Sequence, residues 1–340
     1  MGTALAALTT LRVGGSARRL VVAEDEADLV SAVSGADAAG EPLLVLGGGS
    51  NVLVGDEGFT GTVVLVRTRG VRVLAADACG GILVQVAAGE PWDDLVARAV
   101  SDGWTGIETL SGIPGTTGAT PLQNVGAYGQ EVADTLARMR TYDRETGQVR
   151  TFTHVDCGFG YRTSRFSRSA RYVVLDVTFQ LLPGRTSRPL RYAELADALG
   201  VGLGQRAPLE ETREAVLGLR ARKGMVLDPA DHDTWSAGSF FTNPVVPAEQ
   251  APPGAPTWPQ PDGSVKVSAA WLIEQAGFTR GYPGSDAPAR LSTKHTLALT
   301  NRGQATASDL VALARRVRAG VTDRFGITLE PEPRLVGLTL

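Results

Sequence analysis

Apolar positions near the start of the chain follow two periods. Residues 19–23 and 43–46 are short apolar runs of strand length, whereas Leu29, Val30 and Val33 recur at helical spacing within 26–33. Together they predict a small βαβ-like unit. It leads straight into Gly47-Gly48-Gly49-Ser50-Asn51 and then into further strands around 62–66 and 82–87. Pro91-Trp92-Asp93-Asp94 predicts a helix start, because proline presets the first turn and carboxylates suit the positive end of the helix dipole. Gly103 predicts its end. Residues 106–129, rich in Gly, Pro, Thr and Asn, keep no period and predict a long ordered loop region, a kind of segment that commonly carries function. Strands return at 136–142, 149–154 and 172–181, the first two joined by a turn at Glu145-Thr146-Gly147.

The second half changes to helical spacing. Residues 209–223 predict a helix with Gly224 as its cap, and 268–275 another. A third, over 306–325, opens on a Thr306/Asp309 box and carries a stripe of Leu310, Leu313, Val317, Val321 and Phe325. Between them, 247–262 holds six prolines among small residues and predicts a stiff, exposed surface loop.

At 340 residues, with 43% hydrophobic and 20% charged positions, the chain is long enough for two or three compact units. A net charge of -3 offers no general field for a nucleic-acid backbone, so anionic ligands must be held locally. The basic residues are lopsided: three lysines, Lys223, Lys266 and Lys294, against thirty arginines. Two distant cysteines, Cys79 and Cys157, suggest neither a disulfide framework nor a zinc site. The histidines His154, His232 and His295 are scattered, so no metal is expected. The first eleven residues lack the features of a signal peptide, and no apolar run approaches a membrane span. A cytoplasmic protein, with a monomer as the default, is the expectation.

The candidate chemistry lies in the glycine-rich segments. Gly47, Gly48 and Gly49 follow a buried strand, where glycine lets backbone N–H groups approach phosphate oxygens, and Ser50 and Asn51 add donors. The segment is neither a P-loop nor the Rossmann fingerprint, since the lysine of the one and the third glycine of the other are missing. A second cluster contains Ile113, Pro114, Gly115, Thr117 and Gly118, followed by Gln123, Asn124, Gly126, Ala127 and Tyr128. Two such loops suit a long ligand with a central diphosphate and a flat ring at one end, the shape of FAD. The alternatives are a tight turn for the first and a structural Ω-loop for the second.

The strings GGGSNVL (47–53), GIPGTTGATPLQNVGAYG (112–129), GYRTSRF (160–166), AGSFFTNP (237–244), DGSVKVSAAWLIEQAG (262–277) and LEPEPR (329–334) resemble, in order, the motifs of the UDP-N-acetylenolpyruvoylglucosamine reductase family. The resemblance covers nearly the whole chain. It implies an α+β protein: an FAD-binding fold of the vanillyl-alcohol-oxidase type in two subdomains, with a C-terminal α+β substrate-binding domain. The expected divisions are 1–70, with 333–340 returning to it, then 71–221, then 222–332. The implied activity is FAD-mediated, NADPH-dependent reduction of UDP-N-acetylglucosamine enolpyruvate to UDP-N-acetylmuramate for peptidoglycan. NADPH and the substrate are expected to use one face of non-covalently bound FAD in turn.

Hydride arriving at the terminal carbon of an enolpyruvyl ether leaves negative charge delocalised into the carboxylate, which must be stabilised before the neighbouring carbon takes a proton. By resemblance, Arg162 polarises the carboxylate, Ser239 donates the proton, and Glu332 assists at the carboxylate end. The anionic substrate is expected to favour the neutral, donating form of Glu332. Without the motifs Arg162 would read as a surface strand arginine and Ser239 as a turn serine before two buried phenylalanines. Pro333 stands where the family usually has valine, which removes a backbone donor.

The resemblance further places Tyr192 on a loop that closes over substrate in the longer subgroup of the family. It also places Lys223, Asn243, Lys266 and His295 near the nucleotide and sugar. Trp258 stands where a tyrosine is familiar, and Thr279-Arg280-Gly281 replaces a commoner Lys-Gly pair. Two other functions compete for the same residues. A flavin alcohol oxidase would want a tethering histidine, and a nucleotide-binding protein without activity would need neither Ser239 nor Glu332.

Overall fold

The computed structural model describes residues 3–77, 80–167 and 169–340, so Met1 and Cys79 lie outside them. The chain forms two compact units that interleave in sequence. One contains Arg18–Gly48 and Thr60–Arg222. The other contains the residues up to Ala17, then Gly49–Phe59 and Lys223–Leu340.

In the first unit, the strand Phe59–Val66 lies between Ala17–Ala23 and Leu43–Leu46, and runs parallel to the latter. The two strands of the βαβ-like unit share this sheet without being neighbours, because a later strand inserts between them. The helix Glu26–Ala38 runs five residues past the expected end, with Asp25 accepting from the Asp28 N–H as its cap. A second, antiparallel sheet is ordered Gln148–Thr153, Leu136–Asp143, Tyr172–Pro183, Gly81–Ala87, Val71–Asp77. His154 is not the end of a strand but the start of a short helix, His154–Cys157, whose Thr153/Asp156 capping box turns the chain away from the ladder. One core joins these parts: Leu29, Val64, Val84, Trp92, Met139, Val177 and Phe179 are buried in it together.

In the second unit the long helix Ala307–Phe325 buries Leu310, Leu313, Val317 and Val321, with Phe325 packed at the edge. Its start is doubly held. The expected Thr306/Asp309 box is present, and the Asp56 carboxylate accepts from the N–H groups of Ala307 and Ser308 at 2.7 and 3.0 Å. The proline-rich segment is exposed over much of its length, yet it is not all loop. Thr257–Pro259 pairs antiparallel with Val265–Val267, which also pairs with Val245–Val246. A proline is tolerated there because the strand is an edge. Finally, Arg334–Val336 runs parallel to Val52–Val54, tying the end of the chain to the segment after the first glycine loop.

Candidate cofactor and active site

The two glycine loops nest backbone against backbone. A Cβ at Gly48 would stand 2.5 Å from the Cα of Gly115, and one at Gly47 would stand 2.3 Å from Thr116 Oγ1. At Gly118 it would meet the Cβ of Ala88 at 2.5 Å. Real Cβ atoms do not approach so closely, so glycine is the residue these positions accept. Gly49 also adopts φ +64°, and a Cβ there would meet the Leu8 carbonyl oxygen at 1.9 Å. The second loop is rooted by Gly118 N–H to the Ala88 carbonyl and Thr117 N–H to the Glu90 carbonyl, both 2.8 Å. Close backbone approach with no side chain in the way is what a dinucleotide's phosphates need, so the glycine positions fit FAD.

Farther along, residues 123–128 stand beside Arg162. Its guanidinium donates to the Gly126 carbonyl at 2.6 Å and the Asn124 carbonyl at 3.3 Å. Asn124 is buried and used in full: its amide donates to Glu131 and to the Gly160 carbonyl, and its Oδ1 accepts from Ala133 N–H. Asn124 (φ +45°), Tyr128 (φ +49°) and Arg162 (φ +50°) are three of the four non-glycine residues with left-handed backbone among the described residues. Such strain gathers where a site is held in a set geometry. Tyr128 meets Tyr192 edge-on, ring centroids 5.3 Å apart. Burial pushes the Tyr128 phenol up to about 12.

In the other unit, Ser239 and Glu332 lie on adjoining segments. Glu332 N–H donates to the Phe240 carbonyl at 2.9 Å, and Thr242 N–H to the Glu330 carbonyl at 3.1 Å, an antiparallel pairing anchored by buried Phe240 and Phe241. Asn51 joins them: its carbonyl accepts from Arg334 N–H at 3.0 Å, and its amide donates to the Glu332 carbonyl at 3.4 Å. The N–H groups on either side of Pro333 are both bonded, Glu332 to the Phe240 carbonyl and Arg334 to the Asn51 carbonyl.

The candidate substrate residues divide. Lys266 sits opposite both Val245 and Trp258 in the small sheet, its ammonium 5.6 Å from the Trp258 ring centre. Asn243 Oδ1 accepts from Ala269 N–H at 2.9 Å and so also caps the helix Ala269–Gln275. Lys223 follows the helix Leu209–Arg222, and His295 sits in a turn where its N–H meets Ser292 Oγ. The third lysine, Lys294, pairs with Asp231.

Two residues escaped the sequence reading. Arg220 shares its surroundings with Tyr128 and Asp93, and burial pulls its guanidinium down to about 10, still charged at neutral pH. Glu108 is fully buried at the root of the second glycine loop. The helix pattern of 209–223 marks Arg220 as just another arginine near its end, and nothing periodic marks Glu108.

Residues 17–153 match the family model of an FAD binding domain. With glycine loops that fit the cofactor, the chain is an FAD-dependent oxidoreductase of α+β fold. Residues 228–336 match the model described as UDP-N-acetylenolpyruvoylglucosamine reductase, C-terminal domain. Proteins of that name from Cutibacterium acnes and Nocardia farcinica are each 59% identical over 99% of this chain, covering 90% and 89% of their own lengths. The crystal structure of UDP-N-acetylenolpyruvylglucosamine reductase from Thermus caldophilus aligns over 99% of this chain and 98% of its own, at TM-score 0.65 and 28% identity. The chain belongs to the UDP-N-acetylenolpyruvoylglucosamine reductase family.

Among the described residues, no group of His, Cys, Asp and Glu is placed to hold a metal. No helix among them is long and apolar enough to cross a membrane.

Proposed function

We propose that the protein reduces UDP-N-acetylglucosamine enolpyruvate to UDP-N-acetylmuramate, in peptidoglycan synthesis, with NADPH as electron donor. The reading rests on one observation above the others: a backbone ladder sets Ser239 and Glu332 on adjoining segments and joins them to Asn51 of the first glycine loop. Ser239, Glu332 and Asn51 thus share one framework, which supports reading them as proton donor, carboxyl partner and cofactor contact. FAD, bound non-covalently by 47–51 and 113–128, supplies the two-electron chemistry between NADPH and substrate.

The protein's own residues handle charge and protons. Arg162, permanently cationic and planar, receives the substrate carboxylate as negative charge spreads into it. Glu332 donates a hydrogen bond at the same end. The Ser239 hydroxyl then gives its proton to the carbon next to the carboxylate, closing the balance of one hydride and one proton added across the double bond. Trp258 offers a face for the uracil base, and Lys266 with Lys223 and His295 offers donors to diphosphate and sugar. Tyr192 covers the bound substrate. The substrate domain is 222–332, and the work is done by a cytoplasmic monomer.

The test is anaerobic stopped-flow absorbance of the holoprotein. NADPH should bleach the flavin's visible band, and UDP-N-acetylglucosamine enolpyruvate should restore it. Bleaching without restoration would remove the assigned substrate, and an unbleached flavin would remove NADPH.

A further inference from the structure

Glu108 is a carboxylate with no exposure to water, and burying such a group costs heavily unless hydrogen bonds satisfy it. Three N–H groups do so. Gly106 N–H donates to Oε2 at 2.6 Å, while Oε1 accepts from Gln130 Nε2 at 2.8 Å and from Arg188 N–H at 2.7 Å. The donors come from three separate stretches of chain. Gln130 passes the connection on, its Oε1 accepting from Thr109 N–H at 2.9 Å. The Thr109 hydroxyl lies 2.9 Å from both Gln130 Oε1 and the Ala127 carbonyl. Ala127 is itself paired with Gln130.

One arm of this network therefore ends at Gly126–Ala127, beside Arg162 and Tyr128. The other ends at Arg188, four residues before Tyr192, whose ring rests against Tyr128. We infer that Glu108 is a positioning residue for the reaction: it holds the flavin-side loop 123–130 and the root of the Tyr192 segment in one frame. A carboxylate suits the task because it presents acceptors on both oxygens and no donor. Gln in its place must turn an NH2 toward at least one N–H. The inference rests on the functional reading above for what the two arms serve, though not for the network itself.

Preorganised loops bind without a further ordering cost, so a loosened loop binds its ligand more weakly. Glu108→Gln should raise the FAD Kd, measured by titrating apoprotein with FAD, by about tenfold, the size expected for a buried hydrogen bond lost. It should also raise KM for UDP-N-acetylglucosamine enolpyruvate, with kcat changed much less. The exchange Glu108→Gln with Gln130→Glu rebuilds the bond between the two side chains with donor and acceptor reversed, but leaves Arg188 N–H facing an NH2. It should restore the FAD Kd and leave KM high, a split that general loosening would not produce.

A Glu108→Gln protein with the parent Kd and KM would overturn the inference, as would an exchange that restores both quantities or neither. If Glu108→Gln does not fold, Gln130→Met removes the flavin arm alone. It should then raise Kd with KM kept, and any other pattern sinks the idea. FAD affinity is read without substrate, so a parent protein that binds FAD yet ignores the enolpyruvyl compound would end the functional reading and leave this one standing.

Discussion

At the scale of single residues the proposed chemistry divides cleanly between steps. Ser239 is assigned only to protonation of the substrate carbon, so Ser239→Ala should leave flavin bleaching by NADPH at the parent rate. Reoxidation by the enolpyruvyl substrate should slow by about 10²- to 10⁴-fold, the usual worth of a positioned general acid. Ser239→Cys keeps a transferable proton and should recover part of the loss. Equal slowing of both half-reactions would show Ser239 to be structural, as a turn serine before two buried phenylalanines would be. Arg162, Ser239 and Glu332 stand as candidates on motif resemblance and on what an enolpyruvyl reduction needs. Glu108 was not legible in the sequence, because a lone acid in an aperiodic loop leaves no trace of its burial or its three donors. Asn243 and Asn124 show the opposite limit: the sequence marks both as ligand candidates, and the structure shows each also holding backbone N–H groups in place.

At the scale of elements, the two glycine loops differ in what crowds each position, which separates two variants. The obstacle to a Cβ at Gly48 is backbone, the Cα of Gly115 at 2.5 Å, whereas at Gly47 it is the Thr116 side-chain oxygen at 2.3 Å. Gly47→Ala and Gly48→Ala should each lower the thermal midpoint and weaken FAD binding, at a cost of about 1–3 kcal/mol for forced overpacking. Adding Thr116→Ala should rescue Gly47→Ala and do nothing for Gly48→Ala. Rescue of both, or of neither, would mean that the loops do not nest as described.

Strong periods gave the elements reliably, as in the helix Ala307–Phe325 and the strand Tyr172–Pro183. Among the elements missed or shortened, three have plain physical reasons. Val71–Asp77 is an edge strand with mostly exposed side chains, so no apolar face announces it. The helix Glu26–Ala38 continues past Val33 through Ser34, Gly35 and Asp37, poor helix formers that carry no apolar period. Thr257–Pro259 pairs despite its proline because only one side of it needs a partner.

At the scale of the whole molecule, the chain passes between its two units at 17/18, 48/49, 59/60 and 222/223. The parallel pairing of Arg334–Val336 with Val52–Val54 explains part of this interleaving, a contact no hydrophobic period announces. Both units also carry carboxylates held below their ordinary value of 3.8, which gives the molecule a common acid limit. For Asp93, burial alone would raise the pKa, but hydrogen bonds from Arg213 and Gly112 N–H and the nearby arginine charges outweigh it. For Asp233, burial is likewise outweighed, by Thr293 and by the charge of Arg302. The Arg171 hydrogen bond holds buried Asp143 well below the usual range, and Ser308 and Ala307 do the same for Asp56 against the effect of burial.

Each of these groups has a folded pKa below its unfolded one. Its stabilisation is therefore complete above the unfolded value and is lost as pH falls toward the folded value. The thermal midpoint followed by circular dichroism should thus be level from about pH 7 to pH 5 and fall steadily below about pH 4. Asp93 and Asp143 lie in one unit and Asp56 and Asp233 in the other, so calorimetry should show every resolved transition moving down over the same interval. Asp143→Asn should lower the midpoint at neutral pH and flatten the acid-side fall, because one titrating contributor has gone. A midpoint that holds or rises below pH 4, or an Asp143→Asn protein with the parent slope, would show that these carboxylates do not set the acid limit.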